Sequence, residues 1–320
     1  MVKNNTMRER SRKCKLLVVF VFCLISIHVF SQDPLPSLPK VMAPGVWSEQ
    51  SQEYKYPAIF VPVGNSMPSS FKNTTENIIE DNGGILFSFF EKLRRNSEPI
   101  RIVHIGDSHV RGHLFTQTVR RRFERDFGAE AVFPDSISYF TSGLLRETGR
   151  SGIVYHTIGI NGAFTTNFAN VMQAREVAKL KPDLIILSFG TNESQWRGYG
   201  TSRHESDMTM LINMLREFSP EAAILLTTPP GSYLRQRRKY TINPRTTSVA
   251  HTIVGYAKKN GFASWDLYTI VGGHNRAAIN WFSNNYMRPD RIHFTEAGYR
   301  LQGNLLYEAL IKAYNTYVGD

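Results

Sequence analysis

Short apolar runs of strand length alternate along this chain with longer segments whose apolar residues recur at helical spacing. The runs lie at residues 101–105, 153–160, 183–189, 222–227 and 262–267. Helical patterns cover about residues 85–93, 109–127, 165–180, 205–218, 245–260 and 296–317. The run at 183–189 is apolar almost throughout, which is typical of a strand buried on both faces of a parallel sheet. The alternation therefore predicts βαβ units and an α/β fold around a parallel sheet.

Three of the predicted strands end in turns that combine glycine with polar side chains. The turns are Gly106-Asp107-Ser108, Asn161-Gly162 and Gly190-Thr191-Asn192. The carboxyl ends of parallel strands share one edge of the sheet, where ligands bind in open α/β folds. We therefore expect these turns to converge on a site. The alternative for Ser108 is that its hydroxyl only caps the helix that follows.

A histidine and an aspartate lie three residues apart just before the last predicted helix, in Asp290-Arg291-Ile292-His293. A serine nucleophile needs a base within hydrogen-bond reach and a third group that orients the base. In a tight loop the carboxylate of Asp290 can fold back onto the imidazole of His293. Taken alone, this pattern more often reflects a loop aspartate and a histidine near a helix cap, with Thr295 as the expected cap.

Acyl transfer also requires hydrogen-bond donors at the oxygen that becomes negative in the transition state. The backbone N–H of Ser108, at the start of a helix, is one candidate donor. The backbone N–H of Gly162 and the side-chain amide of Asn192 are two further candidates. Asparagine is also common in turns without any such role.

The first 31 residues have the composition of a secretory signal peptide. A basic stretch at 3–15 precedes an uncharged apolar run at 16–30, and Val29 and Ser31 suit a signal peptidase, so we expect the mature chain to begin at Gln32. An uncleaved membrane anchor is the alternative, although the run is short for a membrane span. Both cysteines, Cys14 and Cys23, lie in this segment, which leaves the mature chain without a disulfide or a thiolate site.

The rest of the chain is moderately basic. The formal charge of the 320 residues is +11, and the first 31 contribute +5, which leaves +6. The chain has no long Lys/Arg run, and nucleic acid is a poor partner for an exported protein. A moderate positive charge instead favours binding to a polyanionic surface such as a cell wall. The alternative is that the charge only keeps the protein soluble. Residues 32–70 contain seven prolines and predict an irregular tether packed partly along the domain edge. The predicted domains are a signal peptide at 1–31, this tether at 32–70 and an α/β domain at 71–320.

The order of these motifs over about residues 100–315 resembles the four blocks of SGNH (GDSL-type) hydrolases. The resemblance implies a single three-layer α/β/α sandwich with a parallel, flavodoxin-like sheet. It also implies that Ser108 is the nucleophile, that His293 is the base and that Asp290 orients the base. In the family pattern Ser108, Gly162 and Asn192 form the oxyanion hole.

Gly162 matches the second block better than Gly159, because Gly162-x-x-Thr165 resembles that block. Longer stretches narrow the likeness further. Gly106-Asp107-Ser108-His109, Gly190-Thr191-Asn192-Glu193 and His293-Phe294-Thr295 resemble segments of peptidoglycan O-acetylesterases and related O-acetyltransferases of the bacterial periplasm. Some of those esterases carry a β-sandwich binding module between the first two blocks, and the interval between Ser108 and Gly162 is too short to hold one.

The narrower resemblance implies an exported serine esterase of the bacterial periplasm or cell surface. It would remove O-acetyl groups from a cell-wall glycan, foremost peptidoglycan, through an acetyl-serine intermediate and without a cofactor. One alternative is an O-acetyltransferase with the same residues, and another is an esterase for plant or host polysaccharide. A catalytically silent wall-binding protein is a third. The expected partner is an acetylated glycan, with no nucleic acid, no obligate protein partner, and membrane contact only through an uncleaved signal segment.

Three histidines, His104, His109 and His113, lie near the first turn. His109 and His113 have the helical spacing of a ligand pair, but no matched carboxylate or third ligand is evident, so we predict no metal site. The helical pattern at 109–127 carries four arginines outside its apolar stripe. We interpret Arg111, Arg120, Arg121 and Arg125 as a solvated face, with the binding of an acidic substrate as the alternative. The sequence suggests no mechanism for Glu193 beyond ordering the edge of the site.

Overall fold

A computed structural model describes residues 60–134 and 145–319 of the protein. The strands are β1 (Pro99–Gly106), β2 (Gly152–Gly159), β3 (Leu184–Ser188), β4 (Ala223–Thr227), β5 (Tyr233–Gln236), β6 (Lys239–Ile242) and β7 (Ala263–Trp265). The helices are α1 (Phe87–Arg95), α2 (Ser108–Arg111), α3 (Leu114–Phe127), α4 (Val171–Lys179), α5 (Thr191–Gln195), α6 (Thr201–Phe218), α7 (Arg245–Asn260), α8 (Leu267–Ile270), α9 (Ala277–Ser283) and α10 (Glu296–Gly319). The five predicted strands correspond to β1, β2, β3, β4 and β7, with ends displaced by a few residues.

Five strands form one parallel sheet in the order β2-β1-β3-β4-β7. Counted among themselves, these strands follow the flavodoxin-like order 2-1-3-4-5. The direction of strand succession reverses between β1 and β3. In open α/β sheets a ligand binds at such a switch point, outside the carboxyl ends of the strands. The predicted parallel sheet is confirmed.

Helices cover both faces of this sheet. Along β1 the side chains alternate, so that Ile102 belongs to one hydrophobic cluster and Val103 and Ile105 to the other. The first cluster packs α1, α3 and α10 against the sheet, and the second packs α4, α6 and α7. This arrangement confirms the predicted three-layer α/β/α sandwich.

The prediction of one continuous helix at 109–127 is wrong, because the structure has two helices there, α2 and α3. Gly112 and His113 separate α2 from α3, and His113 has a left-handed φ of 56°. A Cβ at Gly159, at the end of β2, would lie 2.2 Å from the backbone N of Arg111. The single turn of α2 therefore sits tightly on the strand ends, and the break lets α3 turn to lay Phe115 and Val119 on the sheet.

Other elements were absent from the predicted pattern. The short helices α5, α8 and α9 and the two-stranded antiparallel hairpin of β5 and β6 fall in segments with weak periodicity. Each hairpin strand has only four residues, and two of the four are exposed. The length of these elements is the reason that apolar patterning did not reveal them.

The predicted signal segment and tether residues 32–59 lie outside the described residues. Residues 60–70, at the end of the predicted tether, form neither helix nor strand. They pack on α10, where the N–H of Val61 donates to Asn315 (3.2 Å) and that of Ser66 to Glu308 (3.0 Å). Within the two described ranges, no helix combines the length and the apolarity that crossing a membrane requires.

Candidate active site

Ser108 is the first residue of α2 and follows β1 across a very tight turn. A Cβ on Gly106 would lie 2.4 Å from the carbonyl oxygen of Ser188 and 2.5 Å from a methyl group of Val110, so the turn requires glycine. Asp107 is the N-cap, and its Oδ1 accepts from the N–H of His109 at 2.9 Å. The turn therefore places the hydroxyl of Ser108 at the switch-point edge of the sheet.

Three side chains form a continuous hydrogen-bonded line at this edge. Ser108 Oγ lies 3.0 Å from His293 Nε2, and His293 Nδ1 lies 2.9 Å from Asp290 Oδ2. The other carboxylate oxygen, Oδ1, accepts from the N–H groups of Ile292 and His293, both at 2.9 Å. Partial burial acts to raise the pKa of Asp290, but these backbone donors and the His293 side chain together outweigh it and hold that pKa below its ordinary value. The ionised carboxylate can orient His293 and stabilise its protonated form.

The loop that carries His293 rests on the β5–β6 hairpin. The carbonyl oxygen of Arg291 accepts from the N–H of Tyr233 at 3.0 Å. The Arg291 guanidinium lies over the rings of Phe282, Tyr240 and Tyr233, at 4.0, 4.4 and 5.2 Å from their centroids. Cation–π contacts of this kind fix the side chain and, through it, the loop. The placement of the histidine thus depends on an element that the sequence did not predict.

The second and third turns also reach the cleft beside Ser108. Gly162 has a left-handed φ of 72°, and its N–H makes no hydrogen bond to any residue in the described ranges. The side-chain amide of Asn192 donates to the carbonyl of Ala163 at 2.9 Å and lies 3.4 Å from Asp107 Oδ2. Ser108, Gly162, Asn192 and His293 line one cleft of about 640 Å³. The structure therefore brings together all five site residues predicted from the sequence, with Asp290 behind the histidine.

Glu193 joins the second turn to the third. Its buried carboxylate accepts from the N–H and hydroxyl of Thr165, at 2.8 and 2.9 Å, and from the N–H of Gly190 at 3.0 Å. Burial raises the pKa of Glu193, and these three donors act against the rise. The carboxylate fixes the distance between the Gly162 and Asn192 segments. Sequence reasoning gave no mechanism for this residue, because nothing in the motif indicates which way its side chain points.

Two more titratable groups are buried next to the nucleophile. Burial raises the pKa of Asp107 to about 8, against the effect of the His109 N–H. His109 bonds the hydroxyl of Tyr299 through Nδ1 at 3.0 Å, and burial lowers its pKa to about 3. Its ring centroid lies 5.4 Å from that of His293. His109 is therefore neutral at physiological pH and adds no charge beside the base.

His104 belongs to a buried network that crosses four strands below the site. Its Nδ1 lies 2.8 Å from the hydroxyl of Tyr155, and its Nε2 lies 2.7 Å from Ser188 Oγ. Thr227 in turn donates to Ser188 at 2.8 Å. In the described part of the chain, no group of three or more His, Cys, Asp or Glu side chains is placed to hold a metal ion. His104 therefore serves this network, and His109 serves the separate pair with Tyr299.

Residues 104–301, more than half of the chain, match the model of the GDSL-like lipase/acylhydrolase family. The structure is similar to that of a peptidoglycan O-acetylesterase, with a TM-score of 0.63 and 20% sequence identity over 74% of this chain and 99% of that one. A lipase/acylhydrolase from Enterococcus faecalis gives a TM-score of 0.47 at 20% identity, covering 67% of this chain and 96% of the other. An acetyl xylan esterase gives 0.48 at 17% identity, covering 66% and 100%. No curated protein sequence matches the chain.

Proposed function

Because this chain belongs to the GDSL-like lipase/acylhydrolase family, whose members are carboxylic-ester hydrolases, we propose that it is an exported serine esterase for O-acetylated cell-wall glycans, foremost peptidoglycan. The observation that carries the proposed chemistry is the hydrogen-bonded line from Asp290 through His293 to Ser108 at the sheet edge. The proposed substrate is supported by the motif resemblance, by the fold shared with a peptidoglycan O-acetylesterase and by the basic charge of the chain.

In the acylation step, Ser108 Oγ attacks the acetyl carbonyl carbon while His293 Nε2 takes the hydroxyl proton. Negative charge develops on the carbonyl oxygen, where the N–H groups of Ser108 and Gly162 and the amide of Asn192 donate to it. His293 then passes its proton to the sugar oxygen as the bond between that oxygen and the acetyl carbon breaks. The sugar leaves as an alcohol, and acetyl-Ser108 remains. Every step moves a proton or an acyl group between these side chains and the substrate, so the mechanism uses no cofactor.

In the deacylation step, His293 takes a proton from water as the water oxygen attacks acetyl-Ser108. The tetrahedral intermediate collapses, the serine oxygen regains its proton from His293, and acetate leaves. The ionised Asp290 stabilises the imidazolium in both steps. Water is the proposed acceptor because the cleft is open to solvent and wide enough to admit it.

The test measures free acetate from O-acetylated peptidoglycan, acetylated xylan and a small aryl acetate, with the Ser108→Ala variant as control. We expect release from peptidoglycan by the wild type and none by the variant. Release from xylan alone would replace the substrate with a plant-type polysaccharide. Acetyl transfer to an added glycan in preference to water would make the protein a transferase. Failure on all three, with Ser108 unlabelled by a phosphonate, would favour a silent wall-binding protein.

Export is a separate part of the proposal. It rests on the basic and apolar pattern of residues 1–31. N-terminal sequencing of the protein recovered from outside the cytoplasm should give a chain that begins at Gln32. An intact N-terminus in the membrane fraction would instead identify an anchor, and recovery in the cytoplasm would refute export.

A further inference from the structure

The cleft that contains Ser108 carries positive charge. Among the described residues that line it are two arginines, Arg111 and Arg288, and no aspartate or glutamate. The Asp290 carboxylate lies behind His293, where the imidazole and two backbone N–H groups already occupy it. Among the described residues of the wall, a substrate that enters this cleft therefore meets two arginines and no carboxylate.

Arg288 differs from the arginines that are held in ion pairs with carboxylates. Elsewhere in the described ranges Arg101 pairs with Glu147 at 2.7 Å, and Arg125 pairs with Asp126 at 2.6 Å. Arg288 is exposed, and its guanidinium makes no ion pair or hydrogen bond with any residue of those ranges. Its charge is therefore available to a ligand without breaking an existing pair.

The backbone of each arginine is fixed relative to a reacting side chain. The N–H of Arg288 donates to the carbonyl of His293 at 2.8 Å, within the loop that carries the base. The N–H of Arg111 donates to the carbonyl of Asp107 at 2.9 Å, in the turn that carries Ser108. One arginine is thus anchored through its backbone beside the base, and the other is anchored through its backbone beside the nucleophile. Both side chains therefore start close to the reacting groups and line the same cleft.

The planar fork of a guanidinium matches the geometry of a carboxylate, and this match makes arginine the side chain suited to recognising one. The cleft volume of about 640 Å³ exceeds the needs of an acetyl group and admits the sugar that bears it. The sequence left open whether the arginines at 109–127 bind an acidic substrate. Arg111 is the one of the four that lines the cleft, so this alternative applies to it.

We propose that Arg111 and Arg288 form a carboxylate subsite, so that the enzyme prefers acetyl esters on acidic glycans to the same esters on neutral glycans. The inference rests on the proposed esterase function of this cleft. The carboxylate comes either from the lactyl and peptide groups of peptidoglycan or from a uronic acid. Both sources present the same chemistry to the two arginines.

The test compares kcat/KM for a 3-O-acetylated methyl glucuronide with that for the matching methyl glucoside. An exposed ion pair changes an equilibrium about two- to fivefold, so we expect the preference for the uronide to fall by that factor in Arg288→Gln and again in Arg111→Gln. The preference should also fall from low salt to 1 M salt, where the screening length is about 3 Å. Arg300→Gln is the matched control, because Arg300 pairs with Glu296 at 2.6 Å outside the cleft and should leave the preference unchanged.

Equal rates on the two sugars at low salt, or a preference that survives in the Arg111→Gln/Arg288→Gln double variant, would overturn the inference. A binding measurement tests the subsite independently of the proposed esterase activity. In an NMR titration of the Ser108→Ala protein, methyl glucuronide should bind more tightly than methyl glucoside, whether or not the wild type hydrolyses either ester. Equal binding would refute the subsite. O-acetylated muropeptides and O-acetylated uronan oligosaccharides then identify the source of the carboxylate, and each should react faster than neutral acetylated xylo-oligosaccharides.

Discussion

Replacing Asp290 with asparagine should reverse the proton position on His293. One carboxylate oxygen of Asp290 accepts two backbone N–H groups, and the other faces His293 Nδ1 at 2.9 Å. In the asparagine variant the amide oxygen must take the first position, because an NH₂ group there would face two donors. The NH₂ group then points at Nδ1, which must act as an acceptor.

The imidazole proton is consequently forced onto Nε2, which faces Ser108 Oγ at 3.0 Å. A protonated Nε2 cannot take the serine proton, so general-base catalysis stops while the fold and the loop geometry persist. The same exchange in other triads lowers kcat about 10⁴-fold. That factor corresponds to about 5.4 kcal/mol of transition-state stabilisation.

The assay is kcat on an aryl acetate together with ¹⁵N NMR of the His293 ring. Asp207→Asn is the matched control, because Asp207 pairs with Arg203 at 3.9 Å away from the cleft and its replacement should leave kcat unchanged. A variant with kcat within tenfold of the wild type would refute the orienting role of Asp290. A proton that stays on Nδ1 despite lost activity would refute the tautomer argument and leave only the loss of charge.

Three further substitutions test other parts of the site. Asn192→Ala should lower kcat about 10²–10³-fold with little change in KM, and steady-state kinetics that show a change in KM alone would instead place the amide in substrate binding. Glu193→Gln replaces one acceptor oxygen with an NH₂ group, which leaves the buried donors of either Thr165 or Gly190 unpaired and should lower the free energy of unfolding by about 1–3 kcal/mol, as measured by urea titration; unchanged stability would contradict the joining role. Burial lowers the pKa of His104 to about 3, so its imidazole stays neutral in the folded state while the unfolded chain binds a proton below about pH 6.5. The stability advantage of the wild type over His104→Gln should therefore be complete above pH 6.5 and shrink by up to about 1.4 kcal/mol per pH unit as the pH falls toward 4, whereas a pH-independent difference would show that His104 titrates normally.

The sheet was predictable because its strands are continuous apolar runs that end in glycine turns. Once the strands are parallel, the positions of Ser108, Gly162 and Asn192 at one edge follow from topology alone. The short interval between Asp290 and His293 allows a single tight loop to bring the two side chains together, and the resemblance to SGNH hydrolases assigned the triad. These features depend on local sequence and on strand order, and both can be read from the chain.

Features that depend on side-chain direction and on distant partners were not predictable. The partner of His109 is Tyr299, which is 190 residues away, and no local pattern joins them. The left-handed φ of His113 breaks a helix whose apolar spacing continues across the break. The carboxylate of Glu193 turns inward because Thr165 and Gly190 supply donors there, and that position exists only after the fold has formed.

The support of the His293 loop by the β5–β6 hairpin has a consequence for how such an enzyme diverges. The sheet fixes Ser108, Gly162 and Asn192, whereas Arg291 fixes the base loop on aromatic rings of the hairpin and α9. Substitutions at Tyr240 can therefore realign the base without disturbing the donors. Changes to the side chain of Tyr240 can thus retune proton transfer while acyl recognition is inherited intact.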